Sequence, residues 1–299
     1  MSVPHAPVHS DAAAASPEVR RPDEMRFPFG RNWAAFLSVL NEARIQEAEA
    51  SLLRALGRER LTGATFLDVG CGSGLFSLAA MRLGARRVHS FDFDPDSVGC
   101  AQELRRRFFP GAETWTIERA SVLDAAYLAR LGRWSIVYSW GVLHHTGRMW
   151  EAIGNAARLV EPDGVVFIAI YNDEGPYSRM WTTVKRAYNR HALGRAAVSA
   201  VFIPYFVGRG VLVDIVRRRN PTQRYRDYYR TRGMSMVHDW TDWLGGYPFE
   251  VAKPEEIFDF LTARGFTLRK LSTCNGLGCN EFVFSAPIEG PLLHDDRRP

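Results

Sequence analysis

Phe66-Leu67-Asp68-Val69-Gly70-Cys71-Gly72-Ser73-Gly74 is the stretch on which the fold turns. An apolar run carries an acid, three glycines follow at alternate positions, and Leu75 onward reads as a helix. Strand, glycine turn and helix open an α/β sheet, because glycine reaches positive φ without strain and leaves no side chain between backbone and ligand. Asp68 stands two residues before Gly70, where it would repel a phosphate and welcome a cation. The spacing is G-x-G-x-G, without the G-x-G-x-x-G of dinucleotide sites, so an NAD-dependent dehydrogenase fails on both counts. S-adenosylmethionine, a nucleoside with an ammonium and a sulfonium and no phosphate, fits.

About twenty residues on, Arg87-Val88-His89-Ser90-Phe91 reads as a second strand ending at Asp92, an acid placed to accept both hydroxyl protons of a ribose. Phe93 follows, where it could stack on adenine. The alternative reading gives Asp92, Asp94 and Asp96 to the next helix, with Asp96 as its cap.

With Phe66–Gly74, Asp92 and Trp134–Thr146 in view, the chain resembles the class I S-adenosylmethionine-dependent methyltransferases. The likeness runs over roughly Gly63–Tyr171 and resumes at Lys253–Pro287. It implies that Asp68, Gly70, Gly72 and Gly74 line the methionine end of the cofactor, with Cys71 a small packing residue inside the same turn. It implies further that Asp92 holds the ribose and that Ser121 and Val122 flank the adenine.

The strands centre near Leu67, Ser90, Thr116, Val137 and Phe167, and helices near Ala79, Glu103, Leu128 and Ala156 alternate with them. Such alternation implies right-handed crossovers and a parallel sheet covered on both faces. The expected fold is therefore α/β: a Rossmann-like, doubly wound, seven-stranded sheet, mostly parallel with the last strand antiparallel. Glu161-Pro162-Asp163-Gly164 should turn the chain into the fifth strand. Ahead of the core, Trp33, Phe36, Leu37, Leu40, Ile45, Leu52, Leu53 and Leu56 recur at helical spacing and predict one amphipathic helix over Asn32–Leu56. It should pack over the edge of the core and cover the cofactor cleft.

The domain reading is a disordered tail over 1–24, an N-terminal helical segment over 25–62, the cofactor-binding core over 63–171, an inserted lid over 172–250, a completion of the core over 251–287 and a tail over 288–299. Residues 1–24 are rich in proline and alanine and lack the basic start and apolar run of a signal peptide. Cys71, Cys100, Cys274 and Cys279 show no disulfide-framework spacing, which suits a reducing cytoplasm. Net charge is +5, mild for a nucleic-acid binder, and no metal cluster is visible.

An insertion after the fifth strand falls at the carboxyl end of the sheet, where open α/β sheets bind ligands. Its stretch Ala196–Val216 is of near-transmembrane length, yet Arg209 and Asp214 lie within it and Pro204, Gly208 and Gly210 interrupt it. This excludes a spanning helix. Two readings remain: a pair of short helices that roof the site, or a peripheral membrane contact over 196–219 with Arg217-Arg218-Arg219 meeting anionic lipid. Met234–Trp240 and Ala252–Glu256 resemble the end of the corresponding insertion in ubiquinone-biosynthesis O-methyltransferases, although Trp240–Phe249 lengthens the spacing.

Methyl transfer from a sulfonium is an in-line displacement, so alignment supplies much of the rate. A hydroxyl acceptor also gains from a base, for which histidine is suited. His144 and His145 follow the fourth strand, whose end places Trp140 beside the cofactor's methyl; at most one of the two adjacent rings faces substrate, with His145 preferred. His238, oriented by Asp239, is a further candidate. Tyr171, Tyr177, Trp181, Trp240 and Trp243 either sandwich a planar acceptor or pack the lid.

The function expected is methyl transfer from S-adenosylmethionine to a small aromatic or lipophilic acceptor, at oxygen. N- or C-methylation of a natural product, glycan or peptide stays open. An RNA methyltransferase is the competitor from another class, invited by Arg224, Arg226, Arg230 and Arg232. It lacks an Asp/Asn-Pro-Pro-aromatic motif, a Pro-Cys nucleophile and an appended RNA-binding motif. No nucleic-acid partner is expected.

Overall fold

The computed structural model describes residues 27, 30, 37, 40–218, 220 and 243–288. The tail expected over 1–24, nearly all of that over 288–299, and His238, Asp239 and Trp240 lie outside the described residues.

Strands β1 (Thr65–Val69), β2 (Arg87–Asp92), β3 (Trp115–Arg119), β4 (Trp134–Trp140), β5 (Val160–Tyr171), β6 (Thr267–Ser272) and β7 (Cys279–Ser285) form one sheet. Their order is β3-β2-β1-β4-β5-β7-β6. The first five run parallel, while β7 is antiparallel to both β5 and β6. The seven-stranded Rossmann-like sheet read from the sequence is the fold observed.

One face carries α1 (Glu42–Leu56), α3 (Leu75–Arg82) and α4 (Pro95–Phe108), with the short α2 (Arg58–Leu61) leading into β1. Ile45, Leu52, Leu78 and Leu104 pack there against Phe66, Ile136 and Phe167. The other face carries α5 (Ala125–Leu131), α6 (Met149–Arg158) and α9 (Pro254–Thr262), whose Leu128, Ile153 and Ile257 meet Val137, Ile168 and Phe284. β1 is buried along its whole length, Phe66 facing one helical layer and Leu67 and Val69 the other, as a strand covered on both sides requires. The sheet grows from β1 through β2 to β3 on one side and then from β4 to β5 on the other, so the strand order reverses between β1 and β4 and their carboxyl ends open the crevice that ligands use in such sheets.

Four local expectations are corrected. The helix read over Asn32–Leu56 is not continuous: Asn41 is extended (φ −138°, ψ 170°) and its side chain accepts the Arg44 N–H, so a new helix starts there. That helix covers the face of the sheet through α3, not its edge, with Arg82 bridging Glu42 and Glu49. Asp94, not Asp96, caps α4, accepting the Asp96 N–H. The Glu161–Gly164 turn sits inside β5 as a bulge: Trp134 pairs with Val160, and Ile136 then pairs with Val165.

The insertion opens with α7 (Pro176–Arg190) and α8 (Ala192–Val216). The expected break at Pro204 does not occur, and α8 is one helix of 25 residues. Pro204 and Ala200 both lie on its exposed side, where the carbonyl left without its N–H partner can turn to solvent. Returning, the chain binds back beside its point of departure: Ala252 N–H donates to the Tyr171 carbonyl and Asn172 pairs with Ala252.

Candidate active site

The glycine turn is held by what surrounds it. Gly70, Gly72 and Gly74 have φ of 75°, 52° and 80°. Side chains are excluded at two of them, since a Cβ on Gly70 would stand 2.3 Å from Val142 and one on Gly74 2.8 Å from Ala101. Gly70 and Cys71 N–H both donate to the Phe91 carbonyl, fastening the turn to the end of β2. Cys71 is buried, with its thiol pushed up by burial and by the nearby Asp68, so it is a packing group and no thiolate.

Asp68 is buried at the centre of a chain of side chains. Trp115 Nε1–H donates to Ser90 Oγ (2.8 Å), Ser90 and Ser77 hydroxyls share a bond (2.7 Å), and Ser77 Oγ–H donates to Asp68 Oδ2 (2.5 Å). Register explains the meeting, because Ser90 is the direct partner of Asp68 across β1 and β2. Burial pushes the Asp68 carboxyl up to about 7, with the Ser77 hydrogen bond pulling the other way. Close by, the Tyr138 hydroxyl is buried without a hydrogen-bond partner and is pushed up by burial and by Asp68 and Glu281. A buried acid and an orphaned hydroxyl at the mouth of the turn are suited to an incoming polar, cationic group.

Asp92 ends β2, with Oδ2 accepting the Gly72 N–H (2.9 Å) and Oδ1 the Asp94 N–H (2.9 Å). Each oxygen keeps a second lone pair for a hydroxyl. Burial raises its carboxyl too. Phe93 is 50% exposed beside it, with the Arg119 guanidinium 5.8 Å from its ring. Ser121 and Val122 follow β3, whose last residue Arg119 pairs with Asp92. Ser121 Oγ accepts the Leu123 N–H, and Val122 is buried with its carbonyl bonded to Asn155. Asp68, the turn, Asp92, Phe93, Ser121 and Val122 therefore gather along the ends of β1, β2 and β3. Trp140 turns elsewhere: its indole N–H reaches over β5 to Glu281 on β7.

The second half of the site lies over β4 and β5. Leu143–His145 forms a single 3-10 turn. His144 is fully buried against Tyr171 (centroids 4.2 Å apart), and burial holds its imidazole well below the ordinary range. His145 Nδ1 is 2.6 Å from the Pro248 carbonyl, an obligate acceptor, so Nδ1 carries the proton and Nε2 is the basic nitrogen. Burial brings His145 down to about 4, the Pro248 bond opposing it and Lys185 adding to it. Both rings thus bond backbone and are neutral at pH 7.

Lys185 and Glu250 escaped notice in the sequence. Lys185 occupies the apolar face of α7 between Trp181 and Tyr188 at i−4 and i+3, which is the signal that marks it. It is buried, donates to the Trp243 carbonyl, and lies over the Trp243 and Phe249 rings at 4.3 and 4.9 Å. Glu250 accepts the first N–H of α6 from Met149, and its own N–H donates to the His144 carbonyl. Of the aromatic candidates for an acceptor sandwich, Trp181 is instead buried in lid packing with Phe202, Phe206 and Trp243. Tyr171 and Trp243 remain at the neck, and Tyr177 is 48% exposed on α7. Among the described residues no three His, Cys, Asp or Glu side chains are grouped to hold a metal ion.

A family model described as a methyltransferase domain matches residues 40–196. Ribosomal protein L11 methyltransferases are locally similar. That of Anoxybacillus flavithermus is 33% identical over 113 residues, 38% of this chain and 34% of that protein. That of Alteromonas mediterranea is 45% identical over 58 residues, 19% of this chain and 20% of that protein. The chain thus spans about a third or less of the length of these curated relatives. In fold it is similar to magnesium protoporphyrin IX methyltransferase from Synechocystis PCC 6803, solved with bound S-adenosylhomocysteine. The TM-score is 0.50 at 13% identity, covering 85% of this chain and 94% of that one.

Proposed function

The chain belongs to the methyltransferase-domain family, and on that premise we propose that it methylates a hydroxyl oxygen on a small aromatic or lipophilic acceptor, with S-adenosylmethionine as donor. The cofactor, when bound, supplies an activated methyl on a good leaving group. The observation that carries its placement is the pair of carboxylates, Asp68 buried and Asp92 half-buried, on either side of a turn that excludes side chains. Asp68, fixed by Ser77, faces the ammonium of the methionine end, and Asp92 takes the ribose. Phe93, Ser121 and Val122 border the adenine.

The acceptor reading rests on the other half. Tyr171 packs on both histidine rings at 4.2 and 5.6 Å, and Trp243 and Phe249 pack on Tyr171 at 6.0 and 5.1 Å, an aromatic wall suited to a flat or greasy molecule. A hydroxyl must lose its proton as it is methylated. Of the two histidines in this turn, His145, held neutral with Nε2 basic, is the one not fully buried, and it is the candidate to receive it. His144 positions the turn. His238 is the remaining candidate, outside the described residues.

Calorimetry with S-adenosylhomocysteine tests the cofactor half: Asp68→Ala and Asp92→Ala should each weaken binding at least about tenfold, the loss expected for a charge-assisted hydrogen bond. A panel of phenols, amines and peptides, scored by S-adenosylhomocysteine release, tests the acceptor half. Turnover confined to amines or to a ribosomal peptide would overturn oxygen methylation while leaving the cofactor assignment intact.

A further inference from the structure

The outer face of α8 is apolar along nearly its whole length. Leu193, Val201, Tyr205, Leu212 and Ile215 recur at helical steps and are 54–80% exposed. Among the described residues α8 is the one helix long and apolar enough to cross a membrane. Its other face is already engaged: Phe202 and Phe206 lie 5.1 and 6.3 Å from the Trp181 ring of α7, and Asp214 is 2% exposed on that side. Crossing a bilayer would strip this face from α7 and carry Asp214 into hydrocarbon. Lying along the interface keeps both contacts and still removes the outer face from water.

Charge selects the occupant. Every exposed charged side chain of α7 and α8, and of the two residues after α8, is an arginine, and the segment's single acid, Asp214, is buried. Arg209 borders the apolar stripe between Tyr205 and Leu212, while Arg217 and Arg218 close its carboxyl end. A second copy apposed to this face would set arginine against arginine, whereas an anionic bilayer complements the whole segment. We propose that α8 is an interfacial membrane anchor, its outer stripe in the acyl boundary of an anionic leaflet and its arginines among the lipid phosphates. This goes beyond the methyl-transfer reading and does not depend on it.

The test floats the full-length protein with vesicles of phosphatidylcholine alone or of phosphatidylcholine and phosphatidylglycerol in equal parts. At low salt, at least about tenfold more protein should float on the anionic vesicles, and raised salt should remove most of that excess. Val201→Glu with Leu212→Glu, both at exposed positions, should cut flotation at least about fivefold while leaving melting temperature and S-adenosylhomocysteine binding unchanged. Arg217→Ser with Arg218→Ser should reduce the anionic preference without abolishing binding. Absent flotation, equal flotation on both vesicles, or undiminished flotation of the double glutamate variant overturns the proposal. So does a dimer in vesicle-free buffer that the glutamate pair dissolves, since the face would then belong to a second copy.

Discussion

At the scale of single residues, Asp68 is the controlling group, and its environment sets a pH dependence. Burial raises its carboxyl to about 7 in the free protein, and a cationic ligand draws the ionised form. Affinity for S-adenosylmethionine should therefore rise with pH through about 7 and level off above it. The sign for stability is opposite: a carboxyl raised on folding favours the protonated protein, so the ligand-free fold should lose stability as pH climbs from about 4 to about 7. Ser77→Ala removes the bond that holds the carboxyl down, moving it further up. Roughly threefold to tenfold weaker binding at pH 7, converging on wild type at pH 9, is expected by calorimetry, one pKa unit being worth about a factor of ten. Asp68→Asn should give a flat profile. His145 titrates elsewhere, near 4, so His145→Gln should leave the limb near 7 in place. As the loss of a base it should lower kcat by about two to four orders of magnitude at neutral pH; an unchanged kcat removes His145 from that role. Asp68 and Asp92 were legible in the sequence because each ends an apolar run beside a glycine turn or a second strand. Ser77, Ser90 and Trp115 were not, since only strand register brings Ser90 opposite Asp68.

At the scale of elements, the neck of the insertion is tied to the turn that carries both histidines. Glu250 places its carboxylate on the amino end of α6, bonding Met149 N–H at 3.1–3.2 Å, while its own backbone holds the turn that carries both histidines. Glu250→Ala removes a charged cap, so about 1 kcal/mol of stability should go, lowering Tm by roughly 2–4 °C for a chain of this size. Because Pro248, two residues away, holds His145, KM for the acceptor should rise more than KM for S-adenosylmethionine; equal rises would make Glu250 a stability residue alone. The alternation of strands and helices was readable because its periods are local. The unbroken α8 and the fresh start at Asn41 both turn on propensity weighed against packing. Pro204 costs about 3 kcal/mol inside a helix and each glycine about 1, but Phe202, Ile203 and Phe206 pack partly buried against the Trp181 cluster, each returning a share of the about 1.5–3 kcal/mol that full burial of such a side chain gives. At Asn41 the error ran the other way: unbroken apolar spacing concealed a side chain that caps a fresh helix.

At the scale of the whole molecule, the two halves of the site are spanned by chain that precedes the core. Phe27 N–H donates to the Tyr247 carbonyl near the histidine turn's partner Pro248, and Gly30 N–H donates to Asp94, two residues after Asp92. Phe27 and Gly30 therefore strap Tyr247 to the helix that follows Asp92, while the amphipathic helix expected over the cofactor cleft packs instead on the face of the sheet. Gly30 permits the close approach, because a Cβ there would stand 2.6 Å from both Asp94 Oδ1 and the Asp96 side chain. Gly30→Val should push the strap off Asp94 without touching the sheet. Loss of one hydrogen bond to a carboxylate predicts S-adenosylhomocysteine binding weakened by roughly tenfold, mainly through faster release, as stopped-flow displacement would read. Tm should fall by roughly 2–4 °C, since Gly30 is buried and the one hydrogen bond it loses is worth about 1 kcal/mol in a chain of this size. A slower release, or a large loss of Tm with affinity intact, would mean that the strap holds the fold together and leaves the cofactor free to exchange.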